Sequence, residues 1–371
     1  MNEFVEKINM WQLFVLIIVF EIGSAVVVGI ATEAGRDAWL AILLATGIGL
    51  LLIRLFIYIL SAKKGKNLFE IMELILGKYV TLFITGAYIL YFLYIASRVL
   101  RDFLELLVTD VFPNTPIEVM SILFMLVVIY ILYLGPEVLA RTTEIFFPYI
   151  LLLLFVIPIF LMVGEEVQLD YLKPVLAEGF KPIINAIFPA LIGFPFGETI
   201  VFTLLMSSVT NAKHLPRVGM GAILLSGLIL SFFTFLKLTV LGEDMSSRAT
   251  FPLLNATREI SLANFIERLD PLVVFIMMLG IFVKVSVFFF GGLKGLEYIF
   301  HIPFRYFSLP IGIILALFAV LISSDFAEHI EEGLEFVPMY LHIPFQVVIP
   351  LLLGGLVVWM KKKKGVYSRS V

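Results

Sequence analysis

Apolar residues in this chain fall into ten long runs rather than the alternation of strands or the one-sided stripe of soluble helices. The runs cover residues 10–31, 39–60, 79–108, 117–135, 145–163, 182–206, 216–241, 271–292, 309–323 and 337–360. Most are roughly 18–25 residues long, the length an α-helix needs to cross a ~30 Å hydrocarbon core. The third is overlong, which predicts an outer end projecting into water. The ninth is short and is expected to begin nearer Ile302. The pattern predicts an all-α integral membrane protein with ten transmembrane helices in one domain, 1–371.

Two of these runs are interrupted by polar residues at mid-depth. The sixth carries Gly193-Phe194-Pro195-Phe196-Gly197-Glu198, and the first carries Glu21-Ile22-Gly23-Ser24-Ala25. Proline removes a backbone donor and flanking glycines let a helix unwind. A mid-bilayer glutamate costs at least ~2.5 kcal/mol, so lipid excludes it where a polar cavity accepts it. The two breaks lie five helices apart, an odd number, so the second half has inverted topology. The expected architecture is a five-plus-five inverted repeat, 10–163 and 182–360, with broken helices one and six around a midplane site. The competing reading of Gly23 is close helix packing, which needs only small residues.

Such breaks imply a ligand. Free amides at Gly23, Ser24 and Ala25 would hold a carboxylate, and carbonyls near Gly193 and Phe194 an ammonium, so a zwitterionic α-amino acid fits both ends.

Charge adds an orientation. With the N-terminus inside, Lys63, Lys64, Lys66, Lys78 and the 361–364 run lie inside, while Asp325, Glu328, Glu331, Glu332 and Glu335 lie outside. The basic bias places both termini in the cytoplasm. Hydrophobic residues make up 61% of the chain and charged residues 15%, too apolar for a single water-soluble core. The acidic start and overlong first run argue against a cleavable signal peptide. The net charge of −3 gives no reason to expect a nucleic-acid partner. No cysteine is present, and the four histidines fall in loops or at helix ends without metal-ligand spacing. Neither an enzyme, a metal nor a cofactor is expected.

The span-six motif, the ten-span pattern, the capping box Asn67-Leu68-Phe69-Glu70 with its helix ending at Gly77-Lys78, and the basic tail resemble the B subunits of bacterial spore germinant receptors. That family lies in the amino acid–polyamine–organocation transporter superfamily, and the resemblance covers essentially the whole chain. It implies a nutrient sensor for an amino acid, working with a receptor A subunit and a C lipoprotein in the spore inner membrane. It also implies a pocket lined by spans one, three, six and eight. The matching residues here are Gly23, Ser24 and Ala25; Tyr91 or Tyr94; Gly193, Phe194, Phe196, Gly197 and Glu198; and Val283 and Val287. Ala25 stands where the superfamily often has a second glycine.

Four cations in the spans invite expectations. Lys284 in span eight either replaces a coupling ion, as the resemblance implies, or neutralises Glu198 or Glu21. Lys237 is expected to snorkel to the outer interface. Arg98 and Arg101 are expected to form a solvated cluster with Asp102 and Glu105. The alternative function is a secondary transporter coupling amino-acid uptake to protons through Glu198 or Glu21.

Overall fold

A computed structural model describes residues 7–164, 166–210, 212–259, 269–323 and 325–367. Among them there is no β-strand; the architecture is helical throughout. The helices are α1 (Met10–Ile22), α2 (Ala38–Leu60), α3 (Leu68–Leu76), α4 (Lys78–Leu106), α5 (Ile117–Leu134), α6 (Pro136–Val163) and α7 (Lys181–Ala186). They continue with α8 (Leu215–Arg248), α9 (Pro252–Arg258), α10 (Asp270–Phe300), α11 (Arg305–Leu321), α12 (Phe326–Glu331) and α13 (Ile349–Tyr367). Eight spans among the described residues are long and apolar enough to cross a bilayer. Helix α11 with the bent segment 326–336 makes up to nine, and α1, at 13 residues, is a shorter apolar helix, which is consistent with the ten runs.

Local chemistry sets the boundaries. Asn9 caps α1: its side chain accepts from the Gln12 amide at 2.8 Å, and the Gln12 side chain accepts from the Asn9 amide at 3.0 Å. Asn67 and Glu70 repeat that reciprocal cap on α3, as the sequence predicts. Both breaks form where expected. Helix α1 stops at Gly23 and residues 23–31 run irregularly before a 3₁₀ turn at Thr32–Asp37. The sixth span kinks at Phe188, is helical again to residue 193, turns at Pro195 and resumes as a 3₁₀ helix, Phe196–Leu204.

Several expected edges move. Helix α6 starts at Pro136, nine residues before 145, because Pro136 occupies its first turn, where the missing amide costs nothing. Helix α8 kinks at Gly242 (φ 71°), directly after the expected end at 241, before a last polar stretch to Arg248, whereas α10 runs on to Phe300 beyond the apolar core. The ninth span begins at Arg305. The tenth has no break at 337: π-helical segments Glu332–Phe336 and Pro338–Val348 lead into α13. The helical spacing of Ile260, Phe265, Ile266 and Leu269 predicts a surface helix over 257–269; it lies mostly outside the described residues, and α9 ends at Arg258.

Helix α10 is the axis of the bundle: 72% of its apolar window is buried, against 28% for the tenth span. It packs along α4 and meets α1, α5, α6 and α11. Its Phe288 joins Phe20, Phe92 and Phe202 in an aromatic core. Outward-facing Leu123, Phe155 and Leu352 form part of the lipid-facing belt. Hereafter the end carrying Asp325–Glu335 is the acidic face and the end carrying Lys361 the basic face.

The α1 break fits because both chains lack a side chain where they meet. A β-carbon built on Gly280 of α10 would lie 2.5 Å from the Gly23 α-carbon. The packing reading of Gly23 therefore holds in this structure. Gly280→Val should lower thermal stability in detergent by about 1–3 kcal/mol, while Gly355→Ala, with open space around it, should leave it unchanged. Equal melting temperatures for both variants would contradict this packing.

Candidate functional site: a cavity above a buried ion pair

Three broken or central helices supply the charges at mid-depth. Lys284 of α10 is fully buried and its ammonium lies 2.5 Å from a Glu198 carboxylate oxygen. The same ammonium sits over the Phe194 ring at 4.3 Å and the Phe20 ring at 5.1 Å. One cation thus holds spans one, six and eight together, and the neutralising-pair reading of Lys284 describes the geometry. Glu21, one turn before the α1 break, is also fully buried, and neither of its carboxylate oxygens has a hydrogen-bond partner among the described residues.

Above this pair a cavity of about 260 Å³ extends to the acidic face. Residues 28–33 after the α1 break form one wall, and Ile95, Arg98, Val99 and Asp102 of α4 another. Ala190, Leu191, Phe194 and Glu198 form the floor, residues 247–250 one side, and residues 329–342 the roof. Arg98, Asp102 and Glu198 have partners, while the exposed Glu33 and Arg248 make no ion pair among the described residues. Arg98 donates to Glu332 at 2.7 Å, to the Tyr94 hydroxyl at 3.2 Å and to the His329 carbonyl. His329 Nε2 lies 2.9 Å from Asp102. The amides of Gly29, Ile30 and Ala31 in the first wall make no hydrogen bond among the described residues. A polar backbone group buried without a partner is costly, so these three are available to a ligand.

The expected site residues separate into those at the cavity and those beside it. Phe194 and Glu198 line it. Gly23, Ser24 and Ala25 do not: the Gly23 amide bonds the Val19 carbonyl at 3.0 Å, and the Ser24 and Ala25 amides, without a hydrogen bond among the described residues as expected, lie outside the cavity lining. Val283 and Val287 are buried inside α10 away from the cavity. Phe196 packs against Gly49 of α2 instead. Tyr94 holds Glu332 at 2.9 Å, and Tyr91 hydrogen-bonds His342 at 2.8 Å and accepts from Gln346 at 2.6 Å. The motif glycines serve this last network. A β-carbon on Gly193 would lie 2.7 Å from the His342 side chain, and one on Gly197 would collide with the Gln346 amide. They open room for span ten, not for a ligand.

Three further expectations are corrected. His342 is not at a helix end but buried within span ten. Arg98 and Arg101 are only 7% and 8% exposed, because the α12 segment covers them and Arg101 donates to the Val320 carbonyl; the outer end of span three is therefore packed, not projecting. Lys237 does not snorkel: its ammonium is buried and donates to the Val28 carbonyl at 3.1 Å and the Val26 carbonyl at 3.3 Å. It braces the irregular wall from behind. Sequence reading missed His342 and Gln346, although two polar residues four apart within an apolar run was the available signal.

A central ion pair beside two broken helices, beneath a cavity toward one face, characterises this all-helical membrane protein, whose fold is that of a transporter. The fold matches the crystal structure of MhsT in complex with L-phenylalanine, with a TM-score of 0.59 over 93% of this chain and 87% of that one at 17% identity. Residues 7–327 match the family described as spore germination protein, and the chain belongs to that family. It is 37% identical over 360 residues to spore germination protein KB of Bacillus subtilis (strain 168), covering 96% of each. Spore germination protein XB of Bacillus anthracis is 25% identical over 261 residues, 70% of this chain and 71% of that one.

Removing one member of a buried pair strands the other, at about 3–5 kcal/mol, whereas replacing both is close to neutral. Lys284→Met should therefore destabilise the protein strongly, and Lys284→Met with Glu198→Gln should recover most of the loss. Thermal unfolding in detergent decides; equal losses in the single and double variants would refute the pairing.

Proposed function

We propose that this chain is the nutrient-sensing membrane subunit of a spore germination receptor and that an amino acid occupies the cavity. The observation that carries the reading is the run of unpartnered amides at Gly29, Ile30 and Ala31 in the wall of a cavity where Arg98, Asp102 and Glu198 already have partners. Amides of this kind take a carboxylate. Those three paired charges disfavour a ligand with net charge, which leaves a zwitterion, and Ile95, Val99, Leu191 and Phe194 offer apolar contact to its side chain. The volume far exceeds the ~10–15 Å³ that admits one water and falls just under the ~300–1,000 Å³ of drug-sized pockets. Its scale is that of a small metabolite.

In this reading the ligand shifts a conformational equilibrium by binding one state better than the other. A receptor A subunit and a C lipoprotein receive the change in the spore inner membrane, with the basic face and both termini in the cytoplasm. The alternative, a proton-coupled amino-acid carrier, is favoured by one observation: Glu21 is a buried carboxyl beside the pair with no cation of its own. Purified protein that concentrates amino acids in vesicles without partners would establish the carrier instead.

Val99→Trp fills the cavity without touching the ion pair. A screen of amino acids against the purified protein should find one that raises the melting temperature, by about 2.7 kcal/mol of stabilisation at a hundredfold excess over Kd. Val99→Trp should abolish that shift and the germination response to the same nutrient, and Glu198→Gln should abolish the response as well. Spores of both variants germinating normally to that nutrient would refute the sensing site.

A further inference from the structure

At the basic face, two lysine runs separated by almost the whole sequence meet. Lys361 at the end of span ten donates to the Ser61 hydroxyl at 2.8 Å and lies over the Tyr58 ring at 4.5 Å. This brings Lys361, Lys362 and Lys363 beside the turn that carries Lys63 and Lys64, all exposed. None of the five has a carboxylate partner among the described residues. The acids nearby are engaged elsewhere: Glu70 with Lys66 at 2.5 Å, and Glu73 with the Tyr298 hydroxyl at 2.8 Å. The corner therefore keeps its positive charge.

Its surroundings specify the partner. Lys363 lies over the Trp359 ring at 4.8 Å, and that ring is 58% exposed on the outside of the bundle. Helices α2 and α13 present exposed Leu51 and Leu352 below it, so the lysines stand where an apolar belt ends. Aromatic rings and lysines at that level meet phospholipid headgroups, and clustered lysines there attract anionic ones. We propose that Lys63, Lys64, Lys361, Lys362 and Lys363 form a binding site for the headgroup of an anionic phospholipid. Span ten ties that site to the cavity, since Val337, Pro338 and His342 at its other end form part of the cavity roof. The proposal stands independently of what the cavity binds.

The test uses the full-length protein in phosphatidylcholine vesicles with or without phosphatidylglycerol, and compares wild type with the five-lysine-to-glutamine variant. Bound phosphatidylglycerol is counted by mass spectrometry after extraction, and melting temperature is followed in parallel. Wild type should retain about threefold more phosphatidylglycerol than the variant, gain thermal stability from it, and lose both advantages in high salt. Equal retention by the two proteins would overturn the proposal. So would the same stabilisation by inorganic phosphate, which would make the ligand a free anion. If the fivefold variant fails to fold, Lys63→Gln with Lys64→Gln, confined to an exposed turn, should show a smaller loss of retention in the same direction. No loss in that variant would equally refute the site.

Discussion

The Lys284–Glu198 pair is the constraint around which the bundle is arranged. Hydrocarbon offers no water to either charge, so each exists at mid-depth only because the other is there. The pair recruits one side chain from each of the two central interruptions: Phe194 from the sixth span and Phe20 from the first lie face-on to the ammonium. Helix α10, which carries the lysine, is the most enclosed of the spans. Interior position, charge and breaks are thus one arrangement.

Unwinding a helix leaves backbone groups without partners, and the two interruptions resolve this differently. After Gly23 the chain is held by turn hydrogen bonds and by Lys237, whose ammonium satisfies the Val26 and Val28 carbonyls. The amides of Ser24, Ala25 and Gly29 to Ala31 have no hydrogen-bond partner among the described residues, and of these residues 29–31 line the cavity. Around Pro195 the gap is filled by neighbours, with His342 and Gln346 reaching in from span ten and bonding Tyr91. One break borders the cavity and the other is closed by protein.

The fold was legible in the chain to a large extent. Run length and depth decide which segments cross a membrane, and Gly23 and Gly193–Glu198 marked both breaks. The site was less so. Gly23, Ser24 and Ala25 read as ligand contacts because glycine signals unwinding, but glycine signals close approach equally well, and only the position of Gly280 distinguishes the two. Arg98 and Arg101 read as solvated because the short α12 helix that covers them follows an acidic stretch resembling an exposed loop. Lys237 read as snorkelling because nothing in sequence places the Val26 and Val28 carbonyls beside it. Each error concerns a contact between residues remote in the chain, which periodicity does not encode.

The filling of the sixth-span break by span ten links four positions as two matched pairs, 193 with 342 and 197 with 346. At 193 an added methyl meets the His342 side chain, so a larger residue there requires a smaller one at 342. At 197 it would also lie 2.6 Å from the Ile192 carbonyl, so a shorter residue at 346 alone makes no room and glycine is required by the backbone as well as by Gln346. The short motif in the middle of the chain is in effect half of a sequence signature, and its other half lies about 150 residues downstream.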